Sequence, residues 1–246
     1  MENTIILLTA CVNPQGMTYT ALQDKDERLR QYQQALQWYL DNTKSPILFV
    51  ENTGYDITPM YADAISSGRL EVLTFQGNDF DKSKGKGYGE ALIIEYALKH
   101  SESMKGDVNV VKITGRLICE NVWKMVRRYT NPDTVYGQKL QDPDGNMEMS
   151  SQVIVAPTTF WKDYFIPQKE RINDGAHYWF EHLLLDAAGQ WEKDGHRYKE
   201  MWIPAALRGV SGSSGDMISS NTLKARISFY LHYVLGKFGY YGAIRP

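Results

Sequence analysis

Short apolar runs alternate with helical segments through the first half of the chain, and that alternation leaves few folds open. Residues 4–12, TIILLTACV, form a continuous apolar run rich in β-branched side chains. Such a run suits a strand buried on both faces, as in parallel sheets. Asn13-Pro14-Gln15-Gly16 breaks it. Over residues 25–42, Leu29, Tyr32, Leu36, Tyr39 and Leu40 recur at helical spacing and predict an amphipathic helix. Ser45-Pro46 ends it, and residues 47–50 read as a second buried strand that closes on the polar run Glu51-Asn52-Thr53-Gly54-Tyr55-Asp56. A short helix over 59–67, a third strand over 70–75, a helix over 90–100 and a fourth strand over 108–113 complete the series. The pattern predicts an α/β fold, doubly wound around a mostly parallel sheet.

Between the third strand and the next helix lies Lys82-Ser83-Lys84-Gly85-Lys86-Gly87-Tyr88-Gly89. A Gly-rich loop opening a helix offers free backbone N–H groups and a partial positive charge, both suited to an anion. The loop matches neither G-x-x-x-x-G-K-[ST] nor G-x-G-x-x-G, because its glycines alternate. The fourth strand runs into Thr114-Gly115-Arg116, a polar turn at the carboxyl edge of the sheet, where α/β proteins place ligands.

Of the 246 residues, 43% are hydrophobic and 23% charged, an ordinary globular composition. The net charge of −2 gives no global basic surface for nucleic acid. Cys11 and Cys119 form neither a disulfide framework nor a metal quartet, and free thiols in a reducing, cytoplasmic setting are expected. The N-terminal apolar run is too short for a signal peptide, and no run reaches the ~18 residues of a membrane span.

Past residue 121 the pattern loosens. A helix is predicted over 122–129, loop over 131–146, a strand over 151–156 and a short amphipathic helix over 159–165. Asn173-Asp174 is read as the cap of a helix over 176–188. A second Gly-rich loop spans residues 208–215, RGVSGSSG, and the tail over 222–246 is basic, aromatic and partly helical.

In this order of elements the chain resembles nucleotide-sugar-dependent glycosyltransferases of the GT-A type, most of all small bacterial enzymes of capsule, O-antigen (lipopolysaccharide) or exopolysaccharide synthesis. The resemblance covers about residues 4–215. It rests on FVENTGYD at 49–56, GKGYGEA at 85–91, VKITGR at 111–116 and NDGAHYWFEH at 173–182. It implies a GT-A-like (Rossmann-like) mostly parallel sheet flanked by helices, with a C-terminal helical tail. Residues 1–220 would be one catalytic domain, with a donor half over 1–121 and an acceptor half over 122–220. It also implies transfer of a sugar from a nucleotide-sugar donor to a glycan or lipid-linked acceptor.

The resemblance assigns donor binding to Thr9, Ala10, Asn13, Glu51 and Asn52 at the first two strand ends. It adds Lys84, Lys86 and Gly87 from the Gly/Lys loop. Thr114, Gly115 and Arg116 stand where such enzymes usually carry a metal-binding D-x-D. With no carboxylate there, transfer without a metal ion or other cofactor is expected, and the Arg116 guanidinium would offset diphosphate charge. A structural ion pair is the other reading of Arg116. Asp142-Pro143-Asp144 is a D-x-D string, read as a turn because no strand precedes it. Glu181 is the implied general base, with Asp174 as runner-up and His182 orienting or replacing it; a helix-face acid paired to a neighbouring cation is the plain alternative. Arg208 and Ser211 would fold over the diphosphate as a lid, or belong to a linker.

Residues 221–246 carry Lys224, Arg226, Lys237 and Arg245 with no acid, among Phe229, Tyr230, Tyr233, Phe238, Tyr240 and Tyr241. A helix of this kind suits the headgroup zone of an anionic membrane, which would put the protein on the inner face of the cytoplasmic membrane. Docking on its own domain is the other reading. Two further functions compete with sugar transfer. One is a sugar-phosphate nucleotidyltransferase, which would need a metal-binding acid pair and usually a Gly-rich loop right after the first strand, where Asn13-Pro14-Gln15-Gly16 is poor in glycine and cations. The other is a non-catalytic binding module.

Overall fold

A computed structural model describes residues 3–17, 20–142, 144–212 and 215–238. Its first half is built as the apolar periodicity predicts. Strand β1 (Thr4–Ala10) is followed by helix α1 (Lys25–Asn42), β2 (Ile47–Glu51), helix α2 (Ala62–Ser66), β3 (Leu70–Thr74), helix α3 (Gly85–His100) and β4 (Asn109–Thr114). Asp24 caps α1 by accepting from the N–H groups of Asp26 and Glu27, and Asp26 and Glu27 add negative charge to its first turn. β1 pairs in parallel with both β2 and β4, and β2 with β3.

The second half contains β5 (Ile118–Cys119), helix α4 (Val122–Arg128), β6 (Thr134–Gly137), β7 (Lys139–Gln141), β8 (Met147–Met149), β9 (Val153–Pro157), helix α5 (Phe180–Lys193), β10 (Arg197–Glu200), β11 (Leu207–Val210), β12 (Met217–Ser219) and helix α6 (Leu223–Gly236). The main sheet runs β10-β6-β9-β4-β1-β2-β3, with β9 antiparallel to both its neighbours. The result is a mixed α/β fold around a mostly parallel seven-stranded sheet. One apolar core joins the sheet to α3, α5 and the π-helical turn Phe160–Phe165; the other joins it to α1 and α4. Each fully buried Leu, Ile or Phe in these cores contributes about 1.5–3 kcal/mol.

Three expectations are corrected. The Gly/Lys segment is not a loop ahead of the helix: α3 already begins at Gly85. Its glycines serve close packing. A Cβ at Gly87 would stand 2.8 Å from the Phe180 Cβ, and one at Gly89 3.1 Å from the Phe80 ring. Residues 131–146 are not all loop, since β6 and β7 lie there; strands this short carry too few residues for a period to show. The helix expected at 176 starts at Phe180, because Asn173 caps a single turn, Asp174–Ala176, by accepting from the Ala176 N–H. The short amphipathic helix expected over 159–165 is present as a π-helical turn, Phe160–Phe165, with Phe160, Trp161 and Phe165 buried and Lys162 and Asp163 exposed.

Candidate functional site

The carboxyl ends of β1, β2 and β4 open into one cleft. Its empty space, open solvent at the mouth included, is about 1150 Å³. Gly115 lets β4 turn there: its N–H donates to Thr9 O at 3.0 Å, and a Cβ would come within 2.5 Å of that oxygen. Arg116 therefore projects beside the end of β1.

Arg116 does not stand alone. Arg28, on the buried face of α1, donates through Nε to Cys11 O at 2.8 Å and through Nη1 to Leu22 O at 3.2 Å. Its Nη2 donates to the Tyr32 hydroxyl at 3.2 Å. Arg116 Nη1 donates to Gln31 Oε1 at 2.9 Å. The two guanidinium carbons lie 5.8 Å and 6.0 Å from the centre of the same Tyr32 ring. Both arginines are 5% exposed, and among the described residues neither is paired with an acid. Burial pulls the Arg116 pKa below its ordinary value, and the charge of Arg28 pulls the same way. The structural ion pair considered for Arg116 is thus absent among the described residues. Instead, two buried cations share one side of the cleft with no acid paired to either among the described residues.

The hairpin of β11 and β12 approaches this site. Val210, Ser211, Gly212 and Ile218 line the cleft, and a Cβ at Gly212 would stand 2.9 Å from Arg116 Nη2.

The opposite side of the cleft comes from the α3 and α5 layer. Lys86 and Glu90 project from the first turns of α3. Glu90 Oε1 accepts from Thr9 Oγ1 at 2.6 Å and pairs with Lys112 Nζ at 2.6 Å. Lys112, fully buried in β4, also donates to Ser151 O at 2.6 Å. Ser151 Oγ in turn donates to Glu181. Asp174 is 1% exposed, lines the cleft and has an Oδ2 with no hydrogen-bond partner among the described residues. Burial raises its pKa to about 6, while Lys86 draws it down and Glu181 adds to the rise. Glu148 on β8 is raised to about 7 by burial, with Glu181 and Asp142 acting in the same direction. Near the end of β2, Asn52 and Asn78 line the cleft, each with a buried, unpartnered Oδ1.

Of the residues expected at the site, Thr9, Ala10, Asn52, Lys86, Gly87, Thr114, Arg116, Asp174, Glu181 and Ser211 line this cleft. Gly115 shapes it through its backbone. The other five do something else. Glu51 is fully buried and accepts from the N–H groups of Val12, Thr53 and Tyr55 at 2.8–2.9 Å, so its carboxylate holds loops and not a ribose. Asn13 donates its N–H to Thr53 Oγ1 at 3.3 Å and accepts from Asn78 through its carbonyl, away from the lining. Lys84 pairs with Glu170 and lies over the Tyr88 ring. His182 accepts the Trp179 N–H at Nδ1, which leaves its proton on Nε2, 3.3 Å from Asp142 Oδ2 and outside the cleft. Arg208 donates to Glu120 at 3.0 Å on the outer side of β11. Asp142 Oδ1 accepts from the N–H groups of Asp144 and Asn146 at 2.9 and 2.7 Å, but the premise that no strand precedes the string is corrected, since β7 ends at Gln141; Pro143 lies outside the described residues.

Sequence reading missed Arg28, Gln31, Tyr32, Asn78, Glu90, Lys112 and Ser151 as parts of the site. Two signals were present. Arg28 stands one turn before Tyr32, in phase with the apolar stripe of α1, and Lys112 interrupts an apolar strand. A cation in a buried register needs a partner or a ligand.

Enzymes of the resembling family commonly hold a divalent cation at the end of the fourth strand. Thr114-Gly115-Arg116 presents no carboxylate, and among the described residues no three potential ligands converge. This donor set does not fit a hard cation.

No protein-family model matches the chain, and no curated protein matches it in sequence. Solved structures are similar in fold. The inositol-1-phosphate CTP transferase from T. maritima is 12% identical, with 99% of this chain and 98% of that one covered and a TM-score of 0.48. A 4-diphosphocytidyl-2C-methyl-D-erythritol synthase is 8% identical, with coverage of 96% and 100% and a TM-score of 0.42. A cytidylyltransferase from Leptospira borgpetersenii serovar Hardjo-bovis is 10% identical, with coverage of 95% and 87% and a TM-score of 0.41. The names of these proteins describe transfer of a cytidylyl group and not of a sugar, and on this finding the expectation of a glycosyltransferase is corrected. The likeness is one of fold; roles for individual residues rest on the cleft itself.

Proposed function

We propose that the chain is a nucleotidyltransferase that joins the nucleoside monophosphate part of a nucleoside triphosphate to a phosphorylated sugar or polyol. The observation that carries this reading is the buried pair Arg28 and Arg116, set around Tyr32 with no acid to balance them among the described residues. Two desolvated guanidiniums repel each other until an anion lies between them. A polyphosphate suits them because each planar fork can donate twice to phosphate oxygens.

The reaction brings two anions together. An oxygen of the acceptor phosphate attacks the α-phosphorus of the triphosphate. The bond from that phosphorus to the bridging oxygen breaks, and pyrophosphate leaves with the electron pair. A phosphate monoester is already ionised near pH 7, so its attack needs no general base. It needs cations on both sides of the reacting centre, where charge accumulates. Arg28 and Arg116 supply them from the α1 side and Lys86 from the α3 side. Asn52 and Asn78 offer unpartnered acceptors for the N–H edge of a base. Asp174 and Glu181 face the acceptor as partners for its hydroxyls. A Mg²⁺ ion that travels with the triphosphate enters as part of the substrate.

The test is pyrophosphate release from each nucleoside triphosphate with a panel of sugar and polyol phosphates. Release that requires both substrates, and falls at least about tenfold in Arg116→Ala, is the expected result. Absence of release from every pair, together with no nucleotide binding by calorimetry, would overturn the reading.

A further inference from the structure

Helix α6 carries an apolar stripe that the rest of the chain leaves uncovered. Leu223, Ile227, Tyr230, Leu231, Val234 and Phe238 are all exposed, Leu223 and Phe238 to 73%. At 100° per residue the five of these within α6 fall in an arc of about 100°, and Phe238 follows just past the end of the helix. Ala225, Ser228, Phe229, His232, Tyr233, Leu235 and Gly236 lie on the other side and are half-buried or buried. The helix thus already has a body-facing side, and the stripe is its outer one.

Cations border the stripe along both edges. Lys224 falls on one edge, Arg226 and Lys237 on the other, and no Asp or Glu occurs anywhere in residues 217–246. Tyr240, Tyr241 and Arg245 of the same basic, aromatic run lie outside the described residues. No helix among the described residues is long and apolar enough to cross a membrane.

We propose that α6 binds the chain peripherally to an anionic lipid surface, with the stripe at the headgroup–acyl boundary and Lys224, Arg226 and Lys237 among the lipid phosphates. An apolar face bordered by cations is the arrangement that lies in such an interface. Charge complementarity selects this occupant over a second copy of the chain. Two α6 stripes packed on each other would bring both sets of cations together with no acid on either helix to balance them. The helix joins β12 through a short connection, residues 220–222, and Ile218 of β12 lines the cleft. Docking would therefore hold the cleft beside the membrane surface.

The test is co-sedimentation of the full chain with vesicles of phosphatidylcholine alone, and of phosphatidylcholine and phosphatidylglycerol in equal parts. Binding to the anionic vesicles only, weakening as salt rises, is expected. Lys224→Ala with Arg226→Ala should lower affinity about twenty-five-fold, or about fivefold per cation. Ile227→Glu with Val234→Glu should abolish binding and leave the far-ultraviolet circular dichroism unchanged, since both positions are exposed in the free protein. Equal binding to both vesicle types, or none to the anionic ones, would overturn the proposal. So would a dimer seen in velocity sedimentation that the glutamate variant dissociates.

Discussion

Arg28 and Arg116 set opposite demands on the free and the liganded protein. In the free chain burial lowers the pKa of Arg116, and the nearby charge of Arg28 acts in the same direction. Arg116→Met should therefore leave the melting temperature unchanged or slightly raised. The same variant should weaken nucleoside di- or triphosphate binding by roughly 10- to 100-fold, the loss expected for hydrogen bonds to a charged group. Unchanged affinity in calorimetry would return Arg116 to a purely structural role. Asp174 carries a pH prediction. Its pKa is raised from 3.8 to about 6, so between those values the folded chain holds a proton that the unfolded chain has released. Stability then falls as pH rises through that window and stays lowered above it. Asp174→Asn removes the cost of ionisation. Urea unfolding should show a gain of roughly 1–3 kcal/mol at pH 8 that disappears by pH 4. A gain of equal size at both pH values would show that burial of the charged form is not its origin.

Among the elements, β4 shapes the site most. It supplies Lys112 beneath the cleft and the turn that aims Arg116. Gly115→Ala would push a methyl into Thr9 O, a backbone atom that cannot swing aside. We expect a loss of about 1–3 kcal/mol in stability together with weaker nucleotide binding, because the turn can relax only by moving Arg116. An alanine variant with wild-type melting and affinity would mean that the two strand ends are not in contact in solution. Lys112→Ala leaves Glu90 without its cation in a mostly buried setting. Breaking such a pair costs about 3–5 kcal/mol. Changing both partners, Lys112→Met with Glu90→Gln, should recover a large part of that loss; failure to recover any would show that the two side chains act independently. The start of α3 follows the same logic of close approach. Gly85 has φ +79°, and its Cβ position is occupied by the Asp174 carboxyl, so Gly85 and Gly87 serve the contact between α3 and the 173–180 segment, and Gly89 the contact with Phe80.

At the scale of the whole molecule, two helical layers on opposite faces of one sheet meet at a shared edge, and the cleft draws on both. Ligand binding should therefore stabilise the fold as a unit. A nucleotide present at a hundred times its dissociation constant should add about 2.7 kcal/mol to unfolding stability. Because Thr114-Gly115-Arg116 presents no carboxylate, nucleoside diphosphate affinity should survive EDTA within about twofold. A metal requirement would place the phosphate site away from Arg116. The amino-acid sequence alone determined the strand-and-helix alternation from β1 to β4, the parallel half of the sheet and the edge where polar strand ends gather. Each of these follows from apolar periodicity, which is local. Thr9, Asn52, Lys86 and Arg116 were named as cleft residues through the family resemblance; Thr9, Asn52 and Arg116 sit at or beside strand ends, and Lys86 in the first turn of α3. The tertiary structure decided what distance along the chain conceals. Arg28 and Arg116 come to the same Tyr32 ring only because α1 packs on the segment that follows β4, across 88 residues of sequence. Glu51, Lys84 and Arg208 were drawn to other partners: backbone amides, Glu170 and Glu120. A charged side chain at a strand end can serve a ligand or a neighbouring loop with equal local logic. Only the three-dimensional placement of competing donors and acceptors separates the two.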